Sequence, residues 1–61
     1  MKNWVIEIKL KKEKYARNYY NIKQSQFGIE QDEFWIMIDN NIPKFFNFKN
    51  IEHFKIIEQA E

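Results

Sequence analysis

The sequence contains no cysteine, one glycine and one proline among its 61 residues. Without thiols, neither a disulfide framework nor a thiolate metal site is available, so the fold must be stabilised by packing. A single glycine, Gly28, cannot build a glycine-rich phosphate-binding loop. The longest apolar run, residues 34–38, is far shorter than the roughly 20 residues of a membrane-spanning helix. We therefore expect a cytoplasmic protein that has no membrane partner.

An excess of charge of one sign is also missing. Ten basic and nine acidic side chains give a net charge of +1, and 44% of the residues are hydrophobic and 18% aromatic. This composition excludes intrinsic disorder, which requires few aromatic residues and a large net charge. The length predicts a single small domain spanning residues 1–61.

The first third of the sequence has the pattern of two β-strands. Apolar side chains at positions 4, 6, 8 and 10 alternate with the residues between them, which is the period of a half-buried strand. A charged turn over residues 11–14 precedes an aromatic-rich segment, residues 15–23, which we predict to be a strand that pairs back on the first.

The middle of the sequence predicts a turn followed by a hairpin. Residues 24–33 hold Gly28 and an acidic cluster, and we expect a turn there with Gly28 at positive φ. Residues 34–39 are apolar at both alternating positions, which predicts a strand covered on both faces. Residues 39–41 suit a hairpin turn, and the strand that follows, residues 44–48, should begin after Pro43 or lie at an edge.

The last segment fits two structures. Residues 53–57 alternate as a strand, whereas residues 50–60 could form a helix capped by Asn50; we favour the strand. The predicted fold is therefore mainly β, a small antiparallel sheet of four to five strands arranged as an SH3-like or partly open barrel, with α+β as the alternative. We expect seven residues in the core: Trp4, Ile6, Ile8, Ile36, Ile38, Phe46 and Ile56.

The apolar content is high for a chain this short. A domain of about 60 residues buries only about 60% of the surface that its unfolded chain exposes, yet this one carries eleven aromatic residues and eleven isoleucine or leucine residues. We expect apolar surface to remain on the monomer and to be covered by a partner, with a homodimer as the simplest case.

The sequence carries no pattern typical of catalysis. His53 is the only histidine and Ser25 the only serine, and threonine is absent. A metal centre or a nucleophile activated by a histidine needs further groups at suitable spacing, which are lacking. We predict that the protein is not an enzyme and binds no cofactor or metal, and that His53 lies at the surface.

Charge is distributed unevenly along the chain. Residues 1–23 hold seven basic and two acidic side chains, whereas residues 24–61 hold three and seven. Cations beside exposed aromatic rings are typical of single-stranded nucleic-acid binding, although a nucleic-acid module usually has a strongly basic balance. This alternative function would use Lys9, Lys11, Lys12, Lys14 and Arg17.

The sequence has no pattern typical of catalysis, and it carries more aromatic residues than we expect a chain this short to bury. Both features favour a small protein-binding module that masks a host or cognate protein. Residue usage typical of A/T-rich genes, with size and composition, resembles that of short phage proteins, so we hypothesise an inhibitor or regulator from a phage or mobile element. A structural homo-oligomer is a further alternative. Because Trp, Tyr and Arg are enriched at interface hot spots, the predicted partner-binding residues are Tyr15, Arg17, Tyr19, Tyr20 and Trp35.

Overall fold

The computed structural model describes residues 2–38 and 42–59 and contains two antiparallel sheets of three strands each. Mainly β structure is therefore confirmed. The first sheet has the order β2-β1-β6 and the second the order β3-β4-β5. The strands are β1 (Asn3–Leu10), β2 (Arg17–Lys23), β3 (Phe27–Glu30), β4 (Glu33–Met37), β5 (Pro43–Asn47) and β6 (Ile51–Gln59), with single 3-10 turns at Gln24–Gln26 and Phe48–Asn50.

The number and arrangement of strands differ from the prediction. Six strands form two separate sheets rather than one sheet of four to five, and within the described residues the sheets do not close into a barrel. The chain passes from the first sheet to the second at Gln24–Gln26, where a 3-10 turn separates β2 from β3. Each sheet then covers one face of the other, which is the usual way for small antiparallel sheets to bury apolar surface.

Most of the predicted strands are found where the alternation placed them. β1 pairs with β2 and β6 along its two sides, and β5 starts at Pro43 and forms an edge of its sheet. The helix considered for residues 50–60 is wrong, because residues 51–59 are a strand that makes cross-strand pairs along the whole of β1. The predicted hairpin turn at residues 39–41 lies outside the described residues.

The turn predicted over residues 24–33 is only partly correct. It contains strand β3, and the chain turns twice: at the 3-10 segment before β3 and at Gln31 and Asp32 after it. Gly28 lies within β3 and does not have positive φ; Gln31 does, at 53°. The positive φ of Gln31 fits its position in the two-residue turn between β3 and β4, because such hairpin turns require a residue with φ > 0.

The core lies between the two sheets. Inward-facing side chains from both sheets form one buried cluster of seven residues: Ile6, Ile8, Ile22, Phe34, Ile36, Phe46 and Ile51. Four of the seven residues predicted for the core belong to it. Trp4 and Ile38 are only half-buried. The prediction for Ile56 is wrong, because this residue is 38% exposed. Ile56 lies opposite Ile6, but β6 is an edge strand, so one side of this residue is open to solvent.

A chain of aromatic rings joins the sheets. Neighbouring rings are 5.4–6.4 Å apart between centroids, in the range of favourable aromatic pairs. The rings belong to five different elements, so the contact links both sheets and the turn before β6. In order they are Trp4, Phe27, Phe34, Phe54 and Phe48.

A bulge in β2 shapes the edge of the first sheet. The pairing register shifts between Trp4 and Ile6, and Asn21 of the bulged strand has φ of 59°. Its backbone N–H donates to the side-chain oxygen of Gln59 at 3.1 Å, and the Gln59 amide donates back to the Asn21 side chain at 3.0 Å. The two edge strands β2 and β6 are thus connected across the central strand.

Candidate functional site

The outer face of the second sheet carries an apolar surface that residues 2–38 and 42–59 leave partly exposed. Because side chains alternate along a strand, the residues next to buried Phe34 and Ile36 on β4 point away from the core. Phe45 on β5 lies directly opposite Trp35, and Pro43 opposite Met37. We call this surface the Trp35 face, and it consists of Trp35, Met37, Pro43 and Phe45.

The expectation that both faces of β4 are covered is met on only one side. Phe34 and Ile36, pointing inward, have no exposed surface, whereas Trp35 and Met37 remain partly exposed. Phe45 beside them is 51% exposed. The second sheet therefore has one buried face and one face on which large apolar side chains are exposed to solvent.

Gly28 explains how the Trp35 ring is held. The two residues are directly opposite each other on β3 and β4, and a Cβ placed on Gly28 would lie 2.9 Å from Cζ2 of the indole and 3.0 Å from its Nε1. Such a contact is too short for a real side chain, so only glycine allows the indole to pack on the backbone there. The single glycine of the sequence thus serves the position of Trp35.

A shallow cavity of about 180 Å³ opens on the Trp35 face. All four members of the face line it, together with Glu30 of β3. The lining residues are apolar apart from Glu30, whose carboxylate is the only charged group among them. A cavity of this kind suits one side chain of a partner rather than a whole small-molecule ligand, since ligand sites usually have 300–1,000 Å³.

Three carboxylates cluster at the β3–β4 hairpin beside this cavity. Glu30 and Glu33 are directly opposite each other at the end of the two strands, and Asp32 lies in the turn between them. Within residues 2–38 and 42–59, no basic side chain forms an ion pair with any of the three. The rim of the Trp35 face is therefore negatively charged.

The predicted nucleic-acid residues lie near the end of β1, at the start of β2 and in the connection between them. Lys11, Lys12 and Lys14 are exposed there, and the Lys11 backbone N–H is fixed by the Asn50 carbonyl at 2.9 Å. Lys9 is different, because its ammonium donates to the Leu10 carbonyl at 2.9 Å and lies 3.7 Å from Glu52.

The last residue of the predicted nucleic-acid set, Arg17, is engaged by Glu13. The Arg17 Nε donates to Glu13 Oε1 at 2.9 Å. This hydrogen bond holds the pKa of Glu13 below its ordinary value and raises the pKa of Arg17. Only the three exposed lysines of the set are consequently without a carboxylate partner in the described part of the chain.

The five predicted partner-binding residues do not form one surface. Tyr15 and Tyr20 are 81% and 61% exposed, whereas Tyr19 packs against the buried cluster. Tyr15 precedes β2, while Arg17 and Tyr20 lie on that strand, in the first sheet; Trp35 lies on the second. The structure separates Trp35 from the tyrosines and surrounds it with residues that the sequence analysis did not select.

Those missed residues are Phe45, Met37 and Pro43. A usable signal was present, since the two apolar segments around residues 39–41 predict a hairpin that brings Trp35 and Phe45 opposite each other. The predicted core residues Ile36 and Phe46 also imply that Trp35 and Phe45 share the outer side. What the sequence could not supply is that this side stays open to solvent, because it too carries large apolar residues.

His53 lies at the surface, as expected. Its side chain is 48% exposed, and Nε2 is 3.3 Å from Glu7 Oε2. Among the described residues, no three histidine or carboxylate side chains are placed so that they could hold a metal ion together. The described part of the chain also contains no helix of the length and apolarity needed to cross a bilayer.

The Trp35 face with its acidic rim is thus the surface that combines exposed aromatic area, a cavity and unpaired charge. Comparison of the chain with models of protein families, with curated proteins and with solved structures finds no match. The interpretation of this surface therefore depends on its own geometry and charge.

Proposed function

We propose that this protein is a small non-catalytic binding module that docks a protein partner through the Trp35 face. The observation that carries the proposal is the pair of partly exposed Trp35 and exposed Phe45, held opposite each other on adjacent strands and bordered by carboxylates that have no ion pair in the described residues. A rigid aromatic pair on a sheet loses little side-chain entropy on binding, which favours its use as an interface anchor.

The chemistry of the partner follows from the surface. Its contacting region would be apolar at the centre, to cover the rings, and basic at the border, to face Glu30, Glu33 and Asp32. Such an arrangement of an apolar core and a charged rim is typical of protein interfaces. Binding in a fixed ratio would mask the region of the host or cognate protein that it covers, as an inhibitor or regulator does.

A capture experiment with matched variants tests this proposal. Tagged protein is used to recover a partner from a lysate, and the affinity for the identified partner is then measured by calorimetry. Phe45→Ser should weaken binding by about 30-fold or more, the effect of removing an interface hot spot. Tyr15→Ser is the control, because Tyr15 is even more exposed but lies in the connection between β1 and β2.

Equal affinity of Phe45→Ser and the wild type for the partner contradicts the proposal. A second copy of the chain is another outcome: if light scattering shows a dimer that Phe45→Ser dissociates, the face serves self-association, and the homodimer or a structural homo-oligomer takes the place of a foreign partner. Circular dichroism of each variant verifies that the fold is retained.

Binding of single-stranded nucleic acid is a second candidate, favoured by the exposed lysines Lys11, Lys12 and Lys14 next to Tyr15, which is 81% exposed. Affinity for an oligonucleotide should fall steeply with salt as counterions are released. Replacing the three lysines by glutamate should abolish it, whereas the control Lys55→Glu on β6 should have a smaller effect. Absence of any shift in anisotropy at low salt contradicts this candidate.

A further inference from the structure

The cavity on the Trp35 face combines aromatic surface with negative charge. Trp35 and Phe45 contribute ring surface from adjacent strands, and Glu30 contributes a carboxylate from β3. An aromatic ring attracts a cation that lies within about 6 Å of its centroid, and a carboxylate accepts charge-assisted hydrogen bonds from it. These are the two groups that a site for a cationic side chain requires.

We infer that this cavity receives an arginine side chain of the protein partner, with the guanidinium against the Trp35 and Phe45 rings and its N–H groups donated to Glu30. The inference rests on the proposed function and adds the identity of the group that enters the cavity. It commits to a protein ligand, because a negatively charged rim repels the phosphates of a nucleic acid.

The distribution of ion pairs favours a cationic occupant over a neutral one. Four carboxylates elsewhere in the described residues have a basic partner within 4 Å, whereas the three at the β3–β4 hairpin have none. Glu30 and Glu33 moreover oppose each other directly, an arrangement that destabilises a sheet. A bound cation would relieve this repulsion. The four paired carboxylates are Glu7, Glu13, Glu52 and Glu58.

No lysine of β5 occupies the cavity. Lys44 lies opposite Ile36, which points into the core, and its ammonium is 5.8 Å from the centroid of the Phe46 ring. The Lys44 side chain therefore belongs to the other side of the sheet. Lys44 therefore leaves the cavity on the Trp35 face open to a group from a partner.

The shape of the cavity favours arginine over lysine. The cavity is shallow, so a flat group can contact the rings while its edge remains near the carboxylate. The guanidinium is planar, more weakly hydrated than an ammonium, and stacks on aromatic faces. A lysine ammonium is a compact, strongly hydrated charge and gains less from a shallow aromatic surface.

A fluorescence titration tests the inference directly. Trp4→Phe leaves Trp35 as the only tryptophan. The substitution removes an indole N–H that is buried without a hydrogen-bond partner, so the fold should be retained. The probe is N-acetyl-arginine amide at up to about 50 mM, well above the millimolar dissociation constant expected of so small a ligand. Backbone amide shifts of Gly28 and Trp35, measured by NMR, locate the site.

The matched probes and variants separate charge from shape. The citrulline analogue has the same outline without the charge and should bind about tenfold more weakly, with the lysine analogue between the two. Glu30→Gln should weaken arginine binding by about fivefold or more. Glu58→Gln, which removes a carboxylate from the first sheet, should leave it unchanged.

Each of three results overturns the inference. The first is equal affinity for the arginine and citrulline probes, and the second is an equal change in arginine affinity for Glu30→Gln and Glu58→Gln. The third is an unchanged signal of Trp35 at the highest probe concentration. If the arginine probe fails while Phe45→Ser still abolishes partner binding, the inference falls and the proposed function remains. If the probe binds at Trp35 while Phe45→Ser leaves partner binding intact, the proposed function falls and the cation site remains.

Discussion

The outer faces of the two sheets differ in whether their charged side chains have partners. Both sheets bury one face in a shared core and leave the other to solvent. On the first sheet, Glu7 meets His53 and Lys9 meets Glu52, and the Asn21 and Gln59 amides connect the edges. On the second sheet, aromatic rings lie beside carboxylates that have no ion pair in the described residues.

A sheet face that is exposed to solvent is not by itself evidence of a binding surface. Exposed apolar residues also occur on the first sheet, where Tyr20 and Ile57 are 61% and 51% exposed. What distinguishes the second sheet is that its apolar residues line a cavity and its charges are left without partners. Single exposed apolar residues are ordinary in proteins, whereas the combination of an apolar cavity with unpaired charge is the feature on which the proposed docking site rests.

The largest effect on the free energy of unfolding is expected for a substitution on the inner side of the second sheet, and a substitution on its outer side serves as the comparison. Phe34→Ala should lower the free energy of unfolding by about 3–5 kcal/mol, since Phe34 is fully buried. Phe45→Ala on the outer side should lower it by less than about 1 kcal/mol. Urea denaturation followed by circular dichroism measures both.

A chain of this length is only a few kcal/mol stable, so Phe34→Ala can unfold it entirely. Ile36→Val is the milder variant and should cost about 0.5–1.5 kcal/mol with the fold retained. A similar loss for Phe45→Ala would mean that the outer side is packed as tightly as the core.

Gly28→Ala sharpens the account of the Trp35 face. The new methyl group would collide with the indole, so the ring must move, at a cost of about 1–3 kcal/mol. In a Trp35→Leu background the collision is absent, and the same change should stabilise the strand by about 0.5–1 kcal/mol. Denaturation of the four proteins gives the coupling energy, and additive effects would contradict the assigned contact.

Removing one carboxylate from each outer face should change stability in opposite directions. Glu33→Gln relieves the repulsion with Glu30 and should stabilise the protein by about 0.5 kcal/mol at low salt. Glu7→Gln loses the contact with His53 and should destabilise it by up to about 0.5 kcal/mol. Thermal melts at low and high salt measure both changes, and equal signs would remove the distinction between the faces.

The smallest effect concerns acid and the pair of Glu13 and Arg17. Because the Arg17 hydrogen bond lowers the pKa of Glu13 from its ordinary 4.5, the pair contributes stability that is fully present above pH 4.5. This stability is lost as the pH falls through the lowered pKa of the folded state. The difference in melting temperature between wild type and Glu13→Gln should therefore shrink below that pH. A constant difference would contradict the assigned pair.

Much of the fold could be predicted because alternation reports directly on burial. The apolar residues of β1 and the aromatic segment of β2 predicted the first hairpin, and Pro43 marked an edge strand. The turn expected over residues 24–33 includes the 3-10 segment Gln24–Gln26, but the sequence did not show that β3 follows within the same range and that the chain passes there from one sheet to the other.

Of the Trp35 face, only Trp35 was selected from the sequence. The core prediction of Ile36 and Phe46 already placed Trp35 and Phe45 on the other side of the sheet, but alternation does not show whether that side stays open to solvent, since it is apolar as well. Gly28 was assigned to a turn by its usual preference, although its role is to leave room for a ring on the adjacent strand. Space for another residue is a property of the pairing register, which a single sequence does not display.

The pairing of β1 with β6 has a consequence for how the protein is made. β1 is the central strand of its sheet, yet one of its neighbours is formed by residues 51–59. During synthesis the first sheet cannot be completed until residues 51–59 have left the ribosome. The central strand therefore waits for a partner about 50 residues away in the sequence, and pairing between such distant segments is expected to be slow.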